Sequence, residues 1–134
     1  MTHQHLQTLT ILPSASRAVR TVSDDVKNPH AIGGHFVFRV TVNNSTVVSP
    51  RFIVEGRVPG TTKYYTIGTV GTATGSTANG IRRLFISPGL STEDQPFTGE
   101  EEVVSQPLPY IYRVSSTATS TGSITYSAGV DLIG

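Results

Sequence analysis

The C-terminal half of the chain reads YYTIGTV at residues 64–70, IRRLFISPGL at 81–90, YIYRVSS at 110–116 and SITYSAGVDLI at 123–133. Apolar and polar residues alternate in most of these runs, which is the period of a strand with one buried and one solvated face. Gly, Ser, Thr, Pro and Asn separate the runs, and no segment shows a clear helical period. The sequence therefore predicts an all-β protein.

Strand candidates continue through the N-terminal half. The clearest core strand is residues 35–42, HFVFRVTV, in which every second residue from Phe36 onward is apolar and faces one side. Residues 6–12 form a short candidate that ends at Pro13, and residues 17–22 form a weaker one. The total of seven or eight strands fits a single-domain antiparallel β-sandwich or jelly roll.

Two hairpins are predicted from turn chemistry. Residues 51–58 and 63–70 flank Pro59-Gly60, a dipeptide that favours a tight turn between two strands. Residues 110–116 and 123–133 flank the small polar stretch SSTATSTG and are predicted to form a second hairpin.

The length of 134 residues fits one domain that needs neither a metal nor a disulfide to fold. Residues 17–134 are interpreted as the sandwich domain. Residues 1–16 are interpreted as an N-terminal segment that could exchange between subunits, with Leu9 and Ile11 as its apolar contact residues. The segment would then belong to an interface.

Composition excludes several functional classes. Cysteine is absent, so there is no thiolate nucleophile and no Cys-based metal site. The net charge is +1, from 10 Lys and Arg against 9 Asp and Glu, which does not fit a protein that mainly neutralises nucleic-acid phosphates. No signal peptide and no apolar run of about 20 residues is visible, so no membrane partner is expected. With 14% charged residues, the surface consists largely of Thr, Ser, Asn and Gly and is easily desolvated against a protein.

The histidines offer little chemistry. His3 and His5 have the spacing of one strand face but lack the further ligands that a metal site needs. His30 and His35 flank a Gly-Gly pair, and no recognisable motif links them to a nucleophile. We therefore expect no catalytic site, no metal and no cofactor.

An acidic loop is predicted between residues 90 and 109. Its carboxylates are residue types that a glycosidase pair or a divalent-cation site would use, but the run lacks the alternating oxygen-ligand spacing of an EF-hand loop. The remaining interpretations are a solvated loop, or a loop that docks against basic residues of a partner subunit. The acidic residues concerned are Glu93, Asp94, Glu100, Glu101 and Glu102.

Arg82 and Arg83 are adjacent in a strand, so their side chains face opposite sides. Arg82 shares the face of Leu84 and Ile86, where a cation is out of place. It is expected either to extend its charge to solvent at the strand end or to pair with the acidic loop, and both arginines are candidate interface residues.

Five tyrosines raise the possibility of a stacking platform for a carbohydrate or a single-stranded nucleic acid. Strand tyrosines more often cover a sheet, and the chain has neither Trp nor a basic groove. The tyrosines are Tyr64, Tyr65, Tyr110, Tyr112 and Tyr126.

The order of several segments resembles a group of small tailed-bacteriophage structural proteins encoded among head genes. The resemblance covers residues 8–134 and contains no catalytic motif. Its elements are NPH before a Gly-led hydrophobic strand, SPRFIVEGRVPGTTKYYTIGTV, RRLFISPGL, LPYIYRVSS and SITYSAGVDLI.

The resemblance implies a virion protein, and most directly a capsid decoration or cement protein. It would bind across subunits of the major capsid protein on the capsid surface, after assembly in the host cytoplasm. A homotrimer at local threefold positions is expected. The expected contacts are residues 2–16, 71–80 and 90–109.

Three other functions remain open. A head–tail connector or tail protein would use the same sandwich in a ring. A host-glycan-binding module would need an exposed aromatic platform among the tyrosines. A glycan hydrolase that uses the acidic loop is the least favoured, and we expect that the protein is not an enzyme.

Overall fold

The computed structural model describes residues 5–28, 30–43, 51–71, 80–89, 101–117 and 122–134. Within these ranges the chain forms ten strands and no helix, which confirms the predicted all-β class. The strands are β1 (His5–Arg17), β2 (Thr21–Val22), β3 (Val26–Lys27), β4 (Gly33–Asn43), β5 (Arg51–Arg57), β6 (Tyr64–Gly71), β7 (Gly80–Ile86), β8 (Glu101–Val104), β9 (Ile111–Ser116) and β10 (Ile124–Ile133).

The strands form two sheets that pack as a sandwich. Sheet 1 has the order β1-β10-β4-β7-β8, and sheet 2 has the order β2-β9-β5-β6 with β3 also paired to β9. Every pair is antiparallel except β7 with β8. The predicted sandwich is confirmed. Ten strands replace the expected seven or eight because β3 and β8, with two and four residues, are too short to show an alternation.

One of the two predicted hairpins is confirmed and the other is wrong. β5 and β6 pair through a register that starts at Arg57 and Tyr64, and Gly60 in the turn between them has a φ of 74°. β9 and β10 do not pair, because β9 lies in sheet 2 and β10 lies between β1 and β4 in sheet 1. Both strands bury alternate residues, and that pattern identifies a strand without identifying its partner.

The first strand is longer than predicted. β1 continues through Pro13 to Arg17, along β10 of the same chain. Proline is tolerated here because β1 is an edge strand and its register shifts between Leu12 and Ala15. Most of the proposed arm, residues 5–16, is therefore an edge strand of the chain's own sheet, and its exchange between subunits stays a prediction.

Aromatic side chains from both sheets fill the core. Phe38 of sheet 1 stacks on Phe52 of sheet 2, with ring centroids 4.7 Å apart and planes within 1°. Tyr126 of sheet 1 and Ser116 of sheet 2 are hydrogen-bonded through their hydroxyls at 2.5 Å. Complete burial of each phenylalanine contributes roughly 2–3 kcal/mol. The core therefore sets the distance between the sheets.

Candidate binding surface at one end of the sandwich

Exposed apolar side chains gather at one end of the sandwich, where β5 ends and β6, β9 and β4 begin. The backbone joins the two sheets there, because Leu108 N–H donates to the Ile32 carbonyl at 2.9 Å. Eight large apolar side chains of the described residues are exposed, and five of these belong to this end. We call this set the apolar end: Leu6, Ile32, Val58, Tyr65 and Tyr110.

A groove of about 400 Å³ opens at the apolar end. Tyr65 and Tyr110, which are 41% and 56% exposed, belong to its lining. Its volume lies in the range of sites that take small ligands or an anchoring side chain. We call it the tyrosine groove, and its lining includes Arg57, Val58, Pro59 and Pro109.

The position of Tyr65 depends on a glycine. Tyr65 is the cross-strand partner of Gly56, and a Cβ atom on Gly56 would lie 2.5 Å from Cζ of the tyrosine ring and 3.0 Å from Cγ of Pro109. Real Cβ atoms do not approach other atoms that closely. The absence of a side chain at Gly56 therefore lets the Tyr65 ring lie across β5.

The β5–β6 turn holds Val58 and Pro59 in a defined shape. Val58 N–H donates to the Lys63 carbonyl at 2.9 Å, and both the backbone N–H and the hydroxyl of Thr61 donate to the Val58 carbonyl. Arg57 Nε donates to the Thr61 carbonyl at 2.5 Å. These bonds preorganise one wall of the tyrosine groove.

A second groove, of about 280 Å³, lies beside Leu6 and His30 at the same end. Buried Asn28 belongs to its lining and organises the adjoining backbone: its amide donates to the Ala31 carbonyl at 2.9 Å, and its backbone N–H donates to the Tyr110 carbonyl at 2.6 Å. Asn28 therefore hydrogen-bonds to a lining residue of each groove, Ala31 in the second groove and Tyr110 in the tyrosine groove.

A polar network lies next to the tyrosine groove on the outer face of sheet 2. Arg57 Nη1 contacts Asp25 at 3.1 Å, and the Tyr64 hydroxyl donates to the same carboxylate at 2.7 Å. That hydrogen bond raises the pKa of Tyr64 above its ordinary value. The Arg113 guanidinium lies 3.4 Å from the centre of the Tyr64 ring.

The network ends at a buried carboxylate. Glu55 accepts a hydrogen bond from the Ser115 hydroxyl at 2.6 Å and contacts Arg113 at 3.3 Å and Arg20 at 3.9 Å. Buried carboxylates need such partners, so the arrangement is explained by the stability of the sheet. It holds Tyr64, and with it the start of β6, in place beside Tyr65.

The structure separates the predicted tyrosine platform into three environments. Tyr112 and Tyr126 are in the core, and Tyr64 is in the polar network. Tyr65 and Tyr110 are exposed together on the tyrosine groove. The sequence did not indicate this pair, because residues 65 and 110 meet only through the pairing of β5 with both β6 and β9.

The predicted interface residues of the N-terminal segment and β7 do not come together. Leu9 and Ile11 pack against the core of their own chain. Arg82 is buried and donates from Nε to the Gly71 carbonyl at 2.9 Å, while Arg83 lies 5.8 Å from the centre of the Phe85 ring. Arg82 Nη1 also donates to the Ile81 carbonyl at 3.3 Å, and pairing of Arg82 with the acidic loop stays a prediction.

The acidic loop lies largely outside the described residues, including Glu93, Asp94 and Glu100. The backbone of Glu101 is the register partner of Arg83, and Glu102 is exposed. An interface role for these residues stays a prediction. The expected contact loop between residues 71 and 80 also lies mostly outside the description.

The histidines occupy separate places. His5 is exposed and lies 3.0 Å from the Thr8 hydroxyl, which donates to Asp131 at 2.6 Å. His35 stacks on Phe85 with 4.1 Å between ring centroids. His3 lies outside the described residues. In the part of the chain that is described, no three His, Asp or Glu side chains form a group that could hold a metal ion.

Comparisons with known proteins add a structural likeness. No protein-family model and no curated protein matches the chain. A solved structure titled "Structure of infectious bursal disease virus Gx strain" matches 95% of this chain with a TM-score of 0.42 and 12% sequence identity. The match covers 31% of that chain, so this protein spans less than a third of its length.

Among the described residues, no helix is long and apolar enough to cross a membrane.

Proposed function

We propose that this chain is a structural protein of a virus particle, and that it decorates the capsid by binding across subunits of the major capsid protein. The observation that carries the proposal is the apolar end: five of the eight exposed large apolar side chains of the described residues lie there. A concentrated apolar patch marks an interaction surface more often than scattered single residues do. The sequence resemblance to phage head proteins supports the same function.

The chemistry of the apolar end suits a protein partner. Tyr65 and Tyr110 supply large, rigid side chains, which are enriched among the residues that dominate binding energy. Val58 and Pro59 stand beside them on a preorganised turn, so little conformational entropy is lost on binding. A capsid segment that inserts an apolar side chain into the tyrosine groove would use all four residues.

Binding through several copies of the chain at once would strengthen this contact. A symmetric homo-oligomer, for which the sequence favours a homotrimer, engages several capsid subunits at once, and the linked contacts gain affinity through effective concentration. The protein would be located on the outer capsid surface of the virion. No catalytic step is assigned to it.

The first test is the copy number of the protein relative to the major capsid protein in purified particles, measured by quantitative mass spectrometry. A ratio near one supports decoration of the whole shell. A ratio of a few per cent would identify a head–tail connector or tail protein instead. Absence from particles would contradict every virion role.

The second test locates the contact. The double variant Val58→Ser/Tyr110→Ser is expected to reduce particle occupancy at least tenfold. The matched control is Val19→Ser/Ile81→Ser, since these two side chains are also exposed but lie away from the apolar end. Equal occupancy of the two variants would show that the apolar end is not the contact.

A second candidate function is binding of a host glycan. The observation that favours it is the exposure of Tyr65 and Tyr110 on a single groove, since sugar rings pack on aromatic faces. A glycan array with the purified protein tests it. Glycan binding that is lost in Tyr65→Ala and Tyr110→Ala and retained in Val19→Ala, an exposed position away from the apolar end, would support this function, and no binding to any glycan would exclude it.

A further inference from the structure

The two grooves of the apolar end lie side by side. Lys27 of the second groove is the register partner of Ile111, which lines the tyrosine groove. Asn28 N–H donates to the Tyr110 carbonyl at 2.6 Å, so the two grooves are separated by about one strand spacing, roughly 5 Å. A single extended segment of a partner can therefore contact both grooves.

The tyrosine groove suits an apolar side chain better than a ligand rich in hydroxyl groups. Its walls consist largely of aromatic rings and aliphatic groups. The polar groups of its lining at the β5–β6 turn are already engaged. Arg57 donates from Nε to the Thr61 carbonyl and from Nη1 to Asp25, and the Thr61 hydroxyl donates to the Val58 carbonyl. These donors are not available to a ligand, and polar groups that are buried without partners weaken binding.

The second groove carries a cation without a partner. Lys27 is exposed in its lining, and its ammonium group forms no hydrogen bond or ion pair with the described residues. Exposed His30 lines the same groove beside Leu6 and Leu132. No Asp or Glu of the described ranges lines either groove. A carboxylate therefore complements the second groove, and such complementarity selects the partner and its register.

We propose that the apolar end binds one linear segment of a partner protein, with a large apolar side chain in the tyrosine groove and an Asp or Glu side chain on Lys27. An extended chain advances about 3.3–3.6 Å per residue, so the two side chains stand about two to four residues apart in the segment. The inference rests on the proposed function, because it names the chemistry of the capsid segment that the decoration protein contacts.

The test is selection of random linear peptides on the purified protein, followed by titration of a selected peptide. We expect the selected peptides to combine Phe, Tyr, Trp or Leu with Asp or Glu at that spacing. Lys27→Glu is expected to weaken binding of such a peptide at least tenfold. The matched control, Arg39→Glu, makes the same change of charge at an exposed position of β4 in sheet 1 and is expected to bind like the wild type.

An exchange of charges keeps the test independent of variant folding. A peptide with Lys in place of its acidic residue is expected to bind Lys27→Glu at least tenfold more tightly than it binds the wild type. Selected peptides without an acidic residue, equal weakening by the two variants, or failure of this exchange would overturn the proposal. Self-association of the purified chain that is lost in Lys27→Glu would identify a second copy as the occupant and would also overturn it.

Peptide binding and particle copy number distinguish this inference from the proposed function. A copy number near one, together with no selected peptide, would overturn the inference and leave the decoration role standing. Peptide binding as expected by a chain that is absent from particles would overturn the decoration role and support the binding chemistry of the apolar end.

Discussion

The ring of Tyr65 lies across the backbone of Gly56, its cross-strand partner, so closely that a methyl group at position 56 would stand 2.5 Å from the ring. This relationship links the stability of sheet 2 to the shape of the tyrosine groove. The absence of a side chain at Gly56 thereby makes room for an exposed aromatic ring at the edge of the groove.

Gly56→Ala is therefore expected to displace the exposed Tyr65 ring and to destabilise the protein by about 1 kcal/mol, the lower end of the usual cost of overpacking, because the end of the ring can move. Urea unfolding measures the effect. Gly71→Ala is the matched control, because an added Cβ at Gly71 meets no atom within 4 Å. Equal stability of the two variants would contradict the contact between Tyr65 and Gly56.

The hydroxyl bridge between the sheets leads to a second prediction. Tyr126→Phe removes the partner of the buried Ser116 hydroxyl and is expected to cost about 1–2 kcal/mol in the free energy of unfolding. The double variant Tyr126→Phe/Ser116→Ala should cost less than the sum of the two single variants, because neither hydroxyl is then left unpaired. Additive losses in a double-mutant cycle would argue against the bond.

Removal of the Tyr112 hydroxyl is expected to change the free energy of unfolding in the opposite direction. Its hydroxyl is buried and has no hydrogen-bond partner among the described residues, and burial raises its pKa to about 12. Tyr112→Phe removes the polar atom and keeps the ring, which packs edge-on against Phe36. We expect the free energy of unfolding to rise by up to about 1 kcal/mol. A loss of stability in thermal or urea unfolding would show that the hydroxyl is satisfied in solution.

The environment of His35 predicts a pH dependence of stability. Burial, followed by the nearby Arg83, lowers the pKa of His35 below 6.5, while Asp131 partly opposes the shift. The unfolded chain therefore binds a proton more readily than the folded chain. Stability is expected to be full above pH 6.5 and to fall as the pH drops from 6.5 through the folded-state pKa.

Urea unfolding between pH 5 and pH 8 measures this effect. His35→Gln removes the titration of this side chain and leaves His5 and His30 unchanged, so the difference between the two pH profiles isolates His35. A wild-type profile that is parallel to that of His35→Gln would refute the predicted shift.

The periodicity of the chain was enough to predict its class and much of its strand content. Alternation in residues 35–42 and 123–133 reports on local burial, and Pro59-Gly60 reports on a local turn, so β4, β10 and the β5–β6 hairpin followed directly. The place of Arg82 on the core face was predicted correctly from the alternation, its bond to the Gly71 carbonyl was not predicted, and its pairing with the acidic loop stays a prediction.

The pairing of the strands and the residues of the candidate site depended on the tertiary structure. The chain predicts that β9 and β10 are strands, but their assignment to opposite sheets depends on which core surfaces they bury together. For the same reason, Tyr65 and Tyr110 could not be paired in advance. The sequence determined an all-β chain with a weakly charged surface, because those properties depend on local pattern and composition. The tertiary structure alone decided which strands pair and which exposed residues share a groove, because both depend on contacts between residues distant in the chain.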